Sequence, residues 1–283
     1  MLDKNLNILI VGLGLMGGSY AKALTENGYK VNAITKNPED VDFALKHGFV
    51  QNAVSHVDGQ LVGSADLVIF ALYPHVFVEW IKEYQHLFKS GVIISDVTGV
   101  KGCIVDKIQS ILRDDAEFIA AHPMAGRERS GIEFADSSIF KVANYIVTPT
   151  DNNTEKAIEL CKDLGEALGF AHISELSPAR HDEIIAFLSQ LTHCIAVSLM
   201  CSSDDHGLVN YTGDSFRDLT RIARINDEMW SELFLDNKEA LLKEMKMFRQ
   251  SFDAMEKAVE RGDRETLREM MRTSTLRRGW FDR

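Results

Sequence analysis

An apolar run, Asn7-Ile8-Leu9-Ile10-Val11, leads directly into Gly12-Leu13-Gly14-Leu15-Met16-Gly17-Gly18 and then into a stretch of helical composition. Strand, Gly-x-Gly-x-x-Gly and helix in that order form the loop of a dinucleotide-binding βαβ unit. Gly12 permits the tight turn, Gly14 lets the backbone approach a pyrophosphate, and Gly17 allows the helix to lie close to the strand. The helix start, with Leu15 and Met16 in its first turn, offers free N–H groups and a positive dipole end to the phosphates. The motif alone is a weak signal, but the flanking strand, helix, second strand and domain position all agree with it. In such units an acidic residue about 20 positions on takes the ribose 2′-hydroxyl. Here the second strand runs Val31-Asn32-Ala33-Ile34-Thr35-Lys36, with no carboxylate. A hydroxyl followed by a cation suits a 2′-phosphate better. The expected cofactor is therefore NADP, or NADP and NAD alike; the same pair also fits a capped turn beside a solvated lysine.

Short β-rich runs then alternate with helical patterns, the signature of a parallel α/β sheet. Candidate strands are 7–11, 30–35, 66–72, 92–96, 117–121, 144–148 and 170–174; candidate helices include 17–27, 76–87 and 154–168. Several strands are continuously apolar, as expected when both faces are covered. After Glu175-Leu176-Ser177-Pro178 the character changes. From Ala179 onward there is no proline and no convincing strand, and proline both disfavours helix before it and starts helices well. The expected architecture is a doubly wound, Rossmann-type parallel α/β domain over 1–174 and an all-helical domain over 175–283. Within the second, a helix over 180–200 carries Ile184, Leu188, Leu191, Ile195 and Leu199 on one stripe. Ala186, Ser189, His193, Ala196 and Val197 form another face. With both sides filled it is expected to be the buried central helix of its domain.

The net charge of −11 argues against nucleic acid and anionic membranes as partners, so an anionic substrate needs a local cationic pocket. The sequence shows no CxxC, no metal-like His or Cys spacing, no long apolar run and no signal-peptide pattern. It therefore predicts four buried thiols, no metal and a cytoplasmic protein.

His122, in Ala120-Ala121-His122-Pro123-Met124-Ala125-Gly126, falls where a strand ends, and ligands of doubly wound sheets bind at the carboxyl ends of strands. An imidazole there can accept the proton of a substrate hydroxyl while the carbon beneath it loses hydride. Taken alone, a strand-end histidine also fits a structural role.

The segment His122-Pro123-Met124-Ala125-Gly126, with Glu128, Ser130 and Gly131 beyond it, resembles the His-Pro-Met/Ile-Ala-Gly motif of the prephenate/arogenate dehydrogenase family. Asp96-Val97-Thr98-Gly99-Val100-Lys101 is similar to its Asp-x-x-Ser-Val-Lys loop, and Ser189-Gln190-Leu191-Thr192-His193 to its Ser-His-Leu-Pro-His segment. Phe216-Arg217-Asp218-Leu219-Thr220-Arg221 matches its Phe-Arg-Asp-x-Thr-Arg segment, with Trp230 beyond. These motifs run in order through nearly the whole chain. The resemblance implies an NAD(P)-dependent oxidative decarboxylation of prephenate, or of arogenate, on the route to tyrosine, in a homodimer joined through the helical domain. It implies His122 as hydroxyl acceptor, Arg221 as carboxylate ligand and His193 at the pyruvyl side chain, supported by Ser189. Glu128 and Asp218 would belong to the polar network at the entrance. His122 and Arg221 would then come from different domains to face each other across the substrate ring.

Two positions depart from the pattern. The family's loop serine, which helps orient the catalytic histidine, falls at Gly99, with Thr98 as the neighbouring substitute; a proline falls at Thr192. The extra regulatory domain of some relatives is not expected, nor tyrosine feedback through it. His193 favours prephenate over arogenate. A β-hydroxyacid dehydrogenase would place a lysine on the inter-domain helix, and 183–200 holds none. A non-catalytic NADP sensor would keep the glycine loop without needing His122, His193 and Arg221 together.

Overall fold

The computed structural model describes residues 1–126 and 129–282. Its first part reads β1 (Asn7–Val11), α1 (Leu15–Glu26), β2 (Lys30–Ile34), α2 (Pro38–Lys46), β3 (Asn52–Val54), α3 (Gly59–Ser64), β4 (Leu67–Phe70), α4 (Pro74–Tyr84), β5 (Ile93–Asp96), α5 (Gly102–Ile111) and β6 (Glu117–Phe118). The six strands form one parallel sheet in the order β3-β2-β1-β4-β5-β6. The order reverses between β1 and β4, and that switch point is where doubly wound sheets bind ligands.

Ile8–Val11 of β1 and all of β4 are continuously apolar because both of their faces meet a helix layer. Ile8, Ile10, Val31, Ala33, Leu67 and Ile69 join Tyr20 and Leu24 of α1 on one face. Leu9, Val11, Val68 and Phe70 join Phe77, Trp80 and Ile81 of α4 and Ile104 and Ile108 of α5 on the other. Burying such a side chain stabilises the fold by about 1.5–3 kcal/mol, so a one-residue register slip, which exchanges the faces, is strongly opposed.

The expected strand over 117–121 divides. The Ile119 N–H still donates to the Ile94 carbonyl at 2.9 Å, but β5 ends at Asp96 and offers no further main-chain ladder. The next segment, β7 (Ala120–Pro123), pairs antiparallel with β8 (Asn144–Thr148), which pairs in parallel with β9 (His172–Glu175). The expected single sheet is thus a six-stranded parallel sheet with a small mixed one beside it. On the small sheet, α6 (Glu155–Leu168) covers β8 with Cys161 and Leu164 in the core. β3, α2, α3 and α5 have no counterpart among the candidate elements; β3 has only three residues, too few for a readable period.

From Pro178 the described chain is helical: α7 (Pro178–Ile185), α8 (Thr192–Cys201), α9 (Asp214–Thr220), α10 (Asp227–Asp236), α11 (Lys238–Glu260) and α12 (Arg264–Arg278). Ser177 caps α7 by accepting from the Arg180 N–H at 3.3 Å, and Pro178 occupies its first turn. Ala186–Leu191 is a π-helical turn joining α7 to α8 into one 24-residue helix. Its length and composition would allow a membrane crossing, although no such run had been read from the sequence.

The expected buried central helix is only partly so. Ile185, Ala186, Leu191 and Ala196 are buried, while Phe187, Leu188 and Met200 are exposed. The π-turn adds a residue to one turn and breaks the 3.6 period on which the two-face reading rested. The four thiols are likewise not uniformly buried: Cys161 is, Cys103 and Cys194 are half-buried, and Cys201 is exposed.

Candidate active site

The glycine loop has the shape its residues require. Gly12 has φ +99°, and a Cβ on it would lie 2.5 Å from the Ala71 carbonyl oxygen; one on Gly17 would lie 1.9 Å from the Gly12 oxygen. Gly14, by contrast, faces open space within 4 Å. It precedes α1 as an N-cap without a side-chain hydrogen bond. Leu15 and Met16 follow in the first turn, whose N–H groups suit an anion. The loop therefore fits a dinucleotide pyrophosphate. At the end of β2 the buried Thr35 hydroxyl receives the Leu13 N–H at 3.4 Å, tying it to the loop, and Lys36 is the exposed cation beside it.

Asp96, at the carboxyl end of β5, organises the next strand and the loop that follows it. Its Oδ1 accepts from the Ala121 N–H at 3.1 Å, which fixes β7 just before His122. Its Oδ2 accepts from the Thr98 N–H at 3.0 Å, from the Thr98 hydroxyl and from the Lys101 ammonium at 2.7 Å. Lys101 is fully buried, and burial lowers its pKa against the opposing pull of Asp96.

Thr98 does not replace the loop serine. Its buried hydroxyl is committed to Asp96 and the Val100 carbonyl, with the Lys101 ammonium 3.1 Å away. The side chain points from its own Cα into this network and not toward His122, which corrects the expectation for it. A Cβ at Gly99 would lie 3.9 Å from Nε2 of His122 and 3.4 Å from Leu233, so the loop passes the imidazole without offering it a side chain.

His122 finds its partner elsewhere. Its Nδ1 lies 2.8 Å from Nε2 of His181 on α7, and Nδ1 of His181 lies 2.8 Å from Oδ1 of Asp182. Asp182 Oδ1 also accepts from the Lys101 N–H at 2.8 Å, and Oδ2 accepts from the Gly102 N–H at 2.7 Å at the start of α5. Burial, then repulsion from His181 and Lys101, hold the pKa of His122 well below the ordinary histidine value. Burial also lowers His181, against the hydrogen bond it makes to Asp182. Both rings are thus neutral near pH 7. His181 and Asp182 were missed in the sequence. The available signal was their spacing: His181 precedes Ser189 by eight residues on the helix that also carries His193.

On that helix the Ser189 carbonyl, in the π-turn, lies 2.9 Å from Nδ1 of His193. The His193 ring stacks on Trp230 of α10, with centroids 3.8 Å apart and planes at 29°. Gln190, at a position where the resembling motif has histidine, is buried and structural. It donates to the Leu233 carbonyl at 2.8 Å and accepts from Asn237 at 2.8 Å. Arg221 opens a 3₁₀ turn (Arg221–Ala223) that packs against α8, and it is exposed. Asp218 is exposed on α9, and Arg217 there pairs with Asp214 at 2.7 Å. Glu128 lies outside the described residues. Between the two parts of the fold, Glu232 of α10 accepts from the His75 N–H at 2.8 Å, and the Asn226 amide donates to the Tyr73 hydroxyl at 3.1 Å. The helical part thereby docks at the carboxyl end of β4.

The chain is similar to known proteins over most of its length. The family profile "Prephenate dehydrogenase, nucleotide-binding domain" matches residues 20–174, and "Prephenate dehydrogenase, dimerization domain" matches 177–273. A prephenate dehydrogenase of Bacillus subtilis is 33% identical over 94% of this chain and 74% of its own. One of Lactococcus lactis is 31% identical over 92% and 73%. The crystal structure of prephenate dehydrogenase from Aquifex aeolicus, in complex with hydroxyphenyl propionate and NAD+, superposes with a TM-score of 0.89 at 30% identity. It covers 98% of both chains.

Proposed function

The chain belongs to the prephenate dehydrogenase family, and from that premise we propose that it converts prephenate to 4-hydroxyphenylpyruvate in tyrosine biosynthesis. It is an NAD(P)-dependent oxidoreductase of the Rossmann type. The observation that carries the reading is the placement of His122. It is a neutral, half-buried imidazole near the end of β7, beside the loop that follows β5 at the carboxyl edge of the parallel sheet.

In this mechanism Nε2 of His122 receives the proton of the C4 hydroxyl as that carbon is oxidised. A bound nicotinamide supplies the hydride acceptor. The ring carboxylate then departs as CO2, its bonding pair entering the ring, and aromaticity makes the step irreversible. The protein's own work is positioning and one proton transfer. Arg221 holds a carboxylate with its planar fork. His193, braced on Trp230 and backed by Ser189, meets the pyruvyl side chain and favours prephenate over arogenate. Asp218 belongs to the polar entrance, the role the family resemblance also gives to Glu128.

We further propose NADP as the preferred cofactor, with Lys36 contacting the 2′-phosphate and Thr35 shaping the loop beside it. A homodimer would form through the helical part in the cytoplasm. The dimerization-domain match over 177–273 and the exposed Phe187, Leu188 and Met200 support that assembly, since large exposed apolar surface marks an interface. The test is a spectrophotometric assay crossing prephenate and arogenate with NAD+ and NADP+. Reduction with prephenate and NADP+ as the fastest pair is expected, and no reduction in any pair would remove the enzymatic reading.

A further inference from the structure

We propose that His181, backed by Asp182, is a positioning residue that fixes the tautomer of His122, leaving the lone pair of the proton acceptor on Nε2. The proposal rests on the reading of His122 as that acceptor, and it follows from the hydrogen bonds in three steps.

Both oxygens of Asp182 accept main-chain N–H groups, Oδ1 from Lys101 and Oδ2 from Gly102. These donors have no alternative role, so Asp182 serves the cluster as an acceptor, at the N-terminus of α5, where negative charge is favoured. The short contact from Oδ1 to Nδ1 of His181 therefore requires the hydrogen on Nδ1. A neutral imidazole carries one N–H, so Nε2 of His181 is an acceptor, and Nδ1 of His122 must donate to it. The hydrogen of His122 is then on Nδ1 and its lone pair on Nε2, the nitrogen on the side of the Gly99 loop. Left to itself a neutral histidine prefers the opposite tautomer, whose Nε2 already carries hydrogen and can accept nothing.

The groups facing the pair come from three elements. Lys101, neutralised by Asp96, lies on the β5–α5 loop; Asp182 lies on α7; the main-chain N–H of Gly102 begins α5. When His122 takes a proton it becomes a cation that still donates through Nδ1 to His181, with the Asp182 carboxylate next in line. The charge formed in the reaction therefore meets an arrangement already set before the substrate arrives. This fits what is unusual in the chain. Gly99 presents no hydroxyl to the imidazole, and His181 is the one side chain among the described residues that hydrogen-bonds it.

The test is nitrogen-15 NMR of the histidine rings in the full-length protein, with His122 assigned from the spectrum lost in His122→Asn. The expected spectrum has His122 protonated at Nδ1 and bare at Nε2. In His181→Met the hydrogen is expected to move to Nε2, and kcat to fall about 10- to 100-fold with the KM for cofactor held. His181→Gln, whose amide can receive from His122 and donate to Asp182, is expected to regain about tenfold of that loss. A wild-type His122 protonated at Nε2 would overturn the proposal. So would a kcat loss in His181→Met with the tautomer unchanged. Should His181→Met not fold, the wild-type spectrum and His181→Gln still decide. Full turnover in His122→Asn would instead remove the proton-acceptor reading and leave the tautomer result standing.

Discussion

The Lys101 ammonium lies 2.7 Å from the Asp96 carboxylate, and neither side chain exposes any surface to solvent. That pair joins the end of β5 to the loop that passes His122. Its net contribution to stability is small, because burial of both charges offsets their attraction, but removing one partner leaves the other unpaired. Lys101→Met is therefore expected to destabilise the protein by about 3–5 kcal/mol. A urea denaturation midpoint unchanged from wild type would show that Asp96 finds another cation.

Stability should also report the two imidazoles. His122 and His181 have folded-state pKa values lowered from 6.5, chiefly by burial. Below pH 6.5 the unfolded chain binds protons that the folded one refuses, so stability falls as pH falls through this window and is fully present above it. Each such group contributes a slope of about 1.4 kcal/mol per pH unit. Chemical denaturation at a series of pH values should show the slope reduced in His122→Asn. An identical slope in that variant would mean its ring titrates normally.

The dinucleotide loop separates two kinds of glycine. At Gly12 an added Cβ meets the Ala71 carbonyl at 2.5 Å with φ +99°, so Gly12→Ala strains the fold itself and should lower Tm. At Gly14 the Cβ has open space, so Gly14→Ala should fold normally and lose dinucleotide affinity by crowding the pyrophosphate. Thermal melts beside fluorescence titration with the reduced cofactor distinguish them. Unchanged affinity in Gly14→Ala would move the pyrophosphate elsewhere.

Arg221→Ala should act on substrate binding. Losing a charged hydrogen-bond pair costs about 1.5–3 kcal/mol, or roughly 10- to 150-fold in KM for prephenate. An unchanged KM would reassign the carboxylate to another cation.

The parallel sheet was legible because β1 and β4 are apolar on both faces and short β-rich runs alternate with helical patterns along the chain. The loop of Gly12, Gly14 and Gly17 was legible because its spacing serves one geometry. Where β7 leaves β5 was not. That break depends on Asp96, whose side chain replaces a ladder partner at Ala121, and local propensity carries no trace of it. The π-turn at Ala186–Leu191 likewise escaped a reading based on a fixed period. Thr98 was assigned by adjacency to Gly99, whereas its rotamer commits it to Asp96 and Val100. His181 was passed over because its partner lies 59 positions earlier in the chain, a pairing that only the packing of α7 against α5 creates.

The bond between His122 of β7 and His181 of α7 also bears on how such a protein can be rebuilt. One module supplies the ring and the other tells it where to carry its hydrogen. A chimera joining this nucleotide-binding half to a foreign helical half would still hold its coenzyme. Unless the graft restored that imidazole within reach, the hybrid would be loaded and idle.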